Sequence, residues 1–250
     1  MGHFSTSRLD AIVSSGSIGN ASIIDLLDIV EYVPIRDSED AEDIYRLRYD
    51  CYLREGAITR NDSGMLTDDF DNQHASRVFG LRIEGVFVAS VRISLLDRHS
   101  PQSPSMLSFR DHLEPLIASG LRLLDVSRFV VNHHASKRHP SLLFATLRLP
   151  FLAAHHLDVD TALAAVRSEH MAFYSRKLEY RPAADPRPYL KLTKPLALMT
   201  ADYALNRERV LSRYPTFIAR KSEEAFLFHR WPLQPGEPLD MREKSGFAVG

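Results

Sequence analysis

The run Ile29-Val30-Glu31-Tyr32-Val33-Pro34-Ile35 alternates apolar and polar side chains and then meets a turn, which predicts a short strand. Asp37 or Ser38 can cap a helix directly after it. Ala41, Ile44, Tyr45, Leu47, Arg48, Cys51 and Tyr52 recur at three- and four-residue steps, so that helix is expected to reach about Leu53, with Gly56 as its terminator. Residues 77–83 and 86–95 are two β-rich runs joined by Glu84-Gly85, the pattern of a hairpin. Further on, 106–118 reads as a helix and 121–131 as a long buried strand. His139-Pro140-Ser141 precedes a helical period to about His156, 160–166 reads as a strand, and 168–178 as a helix. Residues 189–199 are the last strand candidate, followed by a helix from Ala201 to about Arg213 and a tail from Trp231 that is proline-bearing and then polar.

Residues 1 to about 20 carry most of the six serines and three glycines of the first 22 positions and read as a mobile arm, whose deletion should be tolerated. Ile23, Ile24, Leu26 and Leu27 could add a short helix. The expected organisation is an arm over residues 1–28, a catalytic domain over 29–200 and a helical extension with a tail over 201–250. The order of elements makes this an α+β chain with a mixed central β-sheet flanked by helices. No Gly-x-Gly-x-x-Gly or Walker loop is present, so nucleotide-binding folds built on those turns are excluded.

Composition narrows the chemistry. With 44% hydrophobic and 25% charged residues the chain is an ordinary globular one. Thirty-one Lys+Arg against 32 Asp+Glu give a net charge of -1, so nothing global points to nucleic acid or an anionic membrane. One cysteine, Cys51, excludes internal disulfides and Cys-based zinc sites, and it reads as a small core hydrophobe. No apolar stretch approaches the length that spans a bilayer, and Arg8 and Asp10 break the order of a secretory signal, so a cytoplasmic location is the expectation.

Three local signatures follow one another in order. Arg48-x-x-x-Tyr52 lies on the first long helix, with Asp68-Asp69-Phe70-Asp71 in the loop behind it. The hairpin ends Val88-Ala89-Ser90-Val91-Arg92-Ile93. Phe109 sits in the next helix, ahead of Asp125-Val126-Ser127-Arg128-Phe129-Val130-Val131. Over about residues 29–200 this ordered set resembles the autoinducer synthases that make acyl-homoserine lactones and the related N-acyl amino acid synthases, both on the Gcn5-related N-acetyltransferase (acyl-CoA N-acyltransferase) fold. The segment Glu169-His170-Met171-Ala172-Phe173-Tyr174-Ser175-Arg176-Lys177-Leu178-Glu179-Tyr180 is similar to the closing helix and strand of that superfamily, with Glu179 where a glycine is usual. Asp125 stands where the lactone synthases carry a glutamate. The tryptophan they carry after the first helix is replaced by Ala57 and Ile58, the sole tryptophan here being Trp231.

The resemblance implies transfer of a fatty acyl chain from acyl carrier protein, or acyl-CoA, to the α-amine of an amino acid. An acyl-homoserine lactone synthase using S-adenosylmethionine is the alternative, and a non-catalytic ligand-binding or regulatory protein a second one. Aminolysis of a thioester needs a deprotonated amine, donors for the oxyanion and a proton for the thiolate, but no covalent intermediate, metal or redox cofactor. By resemblance Asp125, Arg128 and Tyr174 are the catalytic candidates, Asp125 removing the amine proton and Tyr174 protonating the thiolate. Asp125 and Arg128, three apart on a strand, point to opposite faces unless a bulge intervenes, as this fold implies. Arg48, Asp68, Asp71, Arg92 and Phe109 are the substrate-binding candidates. The four charged ones could hold an ammonium and a carboxylate, or pair among themselves. Tyr174 could equally be a core aromatic. His133, His134, Lys137, Arg138 and His139 form a basic loop ahead of a helix, either an ordinary solvated loop or, through Lys137 and Arg138, a site for pantetheine phosphate and an acidic acyl carrier protein.

Overall fold

Glu84 and Gly85, with φ of 50° and 78°, turn β2 (Ser76–Ile83) back along β3 (Val86–Leu96) in the expected hairpin. The computed structural model describes residues 19–232 and the two-residue strand 247–248. β1 (Glu31–Pro34) flanks β2, and β4 (Leu123–Val131) flanks β3, both antiparallel. β4 pairs in parallel with β5 (Thr161–Val166), β5 is antiparallel to β7 (Leu196–Asp202), and β7 to β6 (Arg181–Arg187). With β8 (Phe247–Ala248) beside β1, the order is β6-β7-β5-β4-β3-β2-β1-β8. The mixed sheet flanked by helices is as the sequence predicts.

Alternation sorts the strands onto two faces. Ala89, Val91 and Ile93 of β3 and Leu124 of β4 meet α5 (Leu142–His156) in the main core. On the other face α2 (Ser38–Arg54) lays Ile44 and Leu47 against Val78, Phe87 and Val130. Beside it α3 (Pro104–Ala118) packs on Leu96, Leu123 and Leu163. Asp37 caps α2 by accepting from the Asp40 amide, and Gly56 at φ 63° follows its end.

Three expectations need correction. The arm does not extend to residue 28, because α1 (Asn20–Leu27) is a helix that buries Ile23, Leu26 and Leu27 in the main core; residues 1–18 lie outside the described residues. The last strand is shorter and later than 189–199, and β6 precedes it. Pro182 and Pro186 hid β6, which can carry them because it is an edge strand. The basic loop is in part a helix, α4 (His133–Arg138), capped by the Asn132 side chain.

The described part of the C-terminal extension, to residue 232, belongs to the core, whereas residues 233–246 and 249–250 of its tail lie outside the described residues. After α6 (Met171–Leu178) and α7 (Tyr203–Arg213), a 3-10 turn (Pro215–Phe217) and α8 (Lys221–Phe228) bring Phe217, Leu227, Phe228 and Trp231 against α5. Arg148 of α5 forms a buried ion pair with Glu223 of α8, Nη2 to Oε2 at 2.8 Å, and donates to the carbonyls of Thr216 and Ile218. Among the described residues no helix is long and apolar enough to cross a membrane.

Removing residues 1–28 is therefore expected to destabilise the protein. Each buried aliphatic side chain contributes about 1.5–3 kcal/mol, so Tm should fall by on the order of 10 °C. An unchanged melting curve would show α1 to be an appendage.

Candidate active site

The site is organised by one extra residue in β4. Ser90 of β3 faces Val130 while Arg92 faces Ser127, so β4 gains a residue over β3 in this interval. Arg128 takes a φ of 50° there, a left-handed conformation that costs a non-glycine residue on the order of 1 kcal/mol. A bulge resets the alternation. Before it Leu124 and Val126 face α5; after it Phe129 and Val131 do, and Val130 faces α2. Asp125 and Arg128 consequently share the α2/α3 face, which regular alternation would have denied them.

On that face Arg128 Nη2 donates to Asp68 Oδ2 at 2.6 Å. Arg92 Nη1 reaches Asp68 Oδ1 at 2.5 Å and Asp71 Oδ1 at 3.0 Å, and Arg48 Nη1 reaches Asp71 Oδ1 at 2.7 Å. Arg92 Nε also donates to Ser127 Oγ. The two aspartates are themselves fixed, since the Asp68 side chain accepts from the Phe70 amide and Asp71 Oδ2 from the Asp68 amide, closing a capping box. Burial pushes the Asp68 carboxyl up, but Arg92 and Arg128 outweigh it and hold it at about 2; Asp71 is lowered likewise, by Arg48 and Arg92 against its burial. Of the two readings open for Arg48, Asp68, Asp71 and Arg92, internal pairing is the arrangement found. Three guanidiniums face two carboxylates, which leaves the cluster a net cation.

Asp125 is fully buried. Its Oδ2 accepts from the Ser105 amide at 2.9 Å and its Oδ1 from Ser105 Oγ at 2.8 Å, and Ser105 Oγ lies 3.3 Å from the Tyr189 hydroxyl. Burial raises this carboxyl above its ordinary range, against the hydrogen bonds from Ser103 and Ser105. Phe109 is also fully buried, at a kink in α3, 6.4 Å from the Tyr189 ring and beneath the Arg187 guanidinium. It packs the floor of this face.

Tyr174 is not in the charged cluster. It stands on α6 with its ring 5.5 Å from that of Tyr180, and burial pushes its phenol well above the ordinary value. Both tyrosines line an apolar cavity of about 60 Å³ on the α5 face, together with Val126, Ala162, Ala164 and Phe151. The two faces meet where β4 and β5 part. Their pairing ends at Val126 and Ala164, after which β4 runs on to Val131 against β3 and β5 to Val166 against β7. Tyr52 of α2 lies at this parting, 5.6 Å from the Arg128 guanidinium and close enough to raise the Tyr174 phenol further.

The remaining candidates fall elsewhere. Lys137 and Arg138 are exposed at the end of α4, which starts two residues beyond β4. The Cys51 thiol, in the α2 cluster, is pushed up to about 12 by burial, so it is no nucleophile at neutral pH. Trp231 packs against Phe79 and Phe228 in the main core. Ser105, Tyr189, Tyr52 and Arg167 are contacts for which sequence reasoning assigned no role.

A sheet with one parallel pair that parts beside a bulged strand, with helices on both faces, is the architecture of the Gcn5-related N-acetyltransferase (acyl-CoA N-acyltransferase) fold. The profile of the family N-acyl amino acid synthase FeeM matches residues 43–202, and the chain belongs to that family and is an N-acyltransferase. This sets aside the non-catalytic alternative. Among solved structures, FeeM, an N-acyl amino acid synthase from uncultured soil microbes, shares 16% identity, covering 76% of this chain and 98% of that one, with a TM-score of 0.60. BjaI, a CoA-dependent acyl-homoserine lactone synthase with SAM and isopentyl-CoA, shares 15% over 76% and 89%, with a TM-score of 0.55. TofI, in a ternary complex with an inhibitor and MTA, shares 13% over 75% and 100%, with a TM-score of 0.53. At these identities the likeness is one of fold. Comparison with curated protein sequences gives no significant match.

Proposed function

We propose that the protein transfers a fatty acyl chain from acyl carrier protein, or acyl-CoA, to the α-amine of an amino acid. The observation that carries this reading is the parting of β4 and β5, where a charged face and an apolar cavity meet, since the reaction joins a polar amine to an apolar acyl chain. The amine nitrogen attacks the thioester carbon and the C–S bond breaks. Asp125, directly or through a water, takes the proton that the nitrogen loses, and Tyr174, kept protonated by its raised pKa, supplies one to the thiolate. Arg128 and the cation-rich cluster favour the developing oxyanion. No metal or redox group takes part in this scheme, and its setting is the cytoplasm.

The test is incubation with acyl carrier thioester, a panel of amino acids and S-adenosylmethionine, read by thiol release and mass spectrometry. An N-acyl amino acid is expected. An acyl-homoserine lactone with methylthioadenosine, and no acyl amino acid, would overturn the reading in favour of the lactone synthase.

The donor gives a second expectation. Exposed Lys137 and Arg138 suit an acidic carrier protein, so carrier-bound donors should outperform short acyl-CoA donors, by a margin that shrinks as salt screens the contact. Reversing both charges should raise the KM for the carrier donor alone, by roughly five- to tenfold. Equal loss with both donors would mean that these residues meet the shared pantetheine phosphate.

A further inference from the structure

Arg167 follows directly on β5, on the far side of the parting from Arg128. Ala162 and Ala164 line the apolar cavity, while Leu163 and Ala165 belong to the α3 cluster. The next position in that second series is Arg167, which the alternation places on the face of Asp125 and Arg128. Its contacts agree. Arg167 Nη2 lies 2.7 Å from Glu55 Oε2 at the C-cap of α2, and Nε lies 3.3 Å from Glu169 Oε1. Tyr52, three residues before Glu55, is the residue whose ring meets Arg128. The last turn of α2 thus runs from one lip of the parting to the other.

The partners of Arg167 differ in kind from those of the arginines in the charged cluster. Its own side chain is 13% exposed, yet Glu55 is 58% and Glu169 39% exposed, whereas Asp71 is 0% and Asp68 19% exposed. An exposed pair contributes little to stability, and its carboxylate returns to water without loss. Displacing Asp71 would strand a buried anion, which is strongly unfavourable. A carboxylate arriving from solvent can therefore take the place of Glu55 or Glu169 at Arg167, whereas at Arg92 it would have to displace a buried aspartate.

We propose that Arg167 binds the carboxylate of the amino-acid acceptor, which lies along the last turn of α2 with its nitrogen toward Asp125 and Arg128. This rests on the acyl-transfer reading above. It moves substrate recognition from the charged cluster to a residue outside it.

The experiment uses the full chain, dodecanoyl-CoA as donor, and the best amino-acid acceptor of the panel beside its carboxamide, compared at equal concentration of free amine. The wild type should prefer the acid by about tenfold or more in kcat/KM. Arg167→Gln should raise the KM for the acid about tenfold and leave its kcat, the donor KM and the rate with the amide unchanged, so that the preference vanishes. Arg167→Lys should restore part of it. Glu55→Gln, which removes the competing carboxylate and touches no core contact, should lower the KM for the acid or leave it, and raising it would count against exchange. A preference that survives Arg167→Gln, or a wild type that takes acid and amide alike, overturns the proposal while leaving acyl transfer intact. Failure to acylate any of these amines, with product from S-adenosylmethionine alone, overturns the underlying reading instead.

Discussion

Arg128→Ala is expected to give a folded protein that has lost two to three orders of magnitude or so in turnover. Arg128 pairs with Asp68, and Asp68 keeps Arg92 on both of its oxygens when Arg128 is gone. The cluster would pass from three cations and two anions to a balanced two and two, with no carboxylate stranded. What disappears is the guanidinium at the parting of β4 and β5, over Tyr52, where the oxyanion is proposed to form. Arg92→Ala is the contrast, because it strips Asp68 and Asp71 of the fully buried cation they share, and breaking such a pair costs about 3–5 kcal/mol. Thermal unfolding and single-turnover rates of both variants check this. A folded Arg128→Ala with wild-type turnover removes Arg128 from the mechanism, and a variant that cannot fold makes its role structural.

The second large effect is expected at Asp125. As the base it must be ionised, so kcat/KM should fall as the pH drops through its pKa, and because burial raises that pKa the acid limb should lie above the ordinary carboxylate range. Asp125→Asn keeps the shape and can still accept from the Ser105 amide, while Ser105 Oγ can turn to accept from the new amide group. Turnover is expected to fall by about 10²–10⁴ and the acid limb to vanish. A variant that keeps both the rate and the limb would show Asp125 to be a tie between β4 and the start of α3, which its bonds to Ser105 also make it.

Local chemistry was legible in the chain and distant pairing was not. The Glu84-Gly85 turn, the Asp37 cap and the apolar stripe of α2 each announce themselves within a few residues. The family and its fold followed from ordered motifs. β6 escaped because two prolines make a poor strand signal, and α4 because six residues carry no period. α1 was half seen, since four apolar residues say nothing about what they will pack against. In the site, the types of Arg48, Asp68, Asp71 and Arg92 were plain, but whether they face a ligand or one another is a matter of ångströms between segments 20 or more residues apart. The run Arg167-Ser168-Glu169-His170 fits the N-acyl amino acid branch as a pattern, but nothing in it gave the arginine a role. Its meaning comes from Glu55, brought alongside by the fold.

The ion pair of Arg148 and Glu223 has a bearing on how this chain can be recombined with others. The stretch matched by the family profile stops at residue 202, yet Arg148, inside that stretch, takes its counter-charge from α8, beyond it. The matched stretch and the self-sufficient one are therefore different lengths of chain. Transplanting residues 43–202 onto a foreign C-terminal segment would orphan a guanidinium in the protein's interior. A chimera made from this chain has to bring α8 along with its glutamate, or first exchange Arg148 for an apolar side chain.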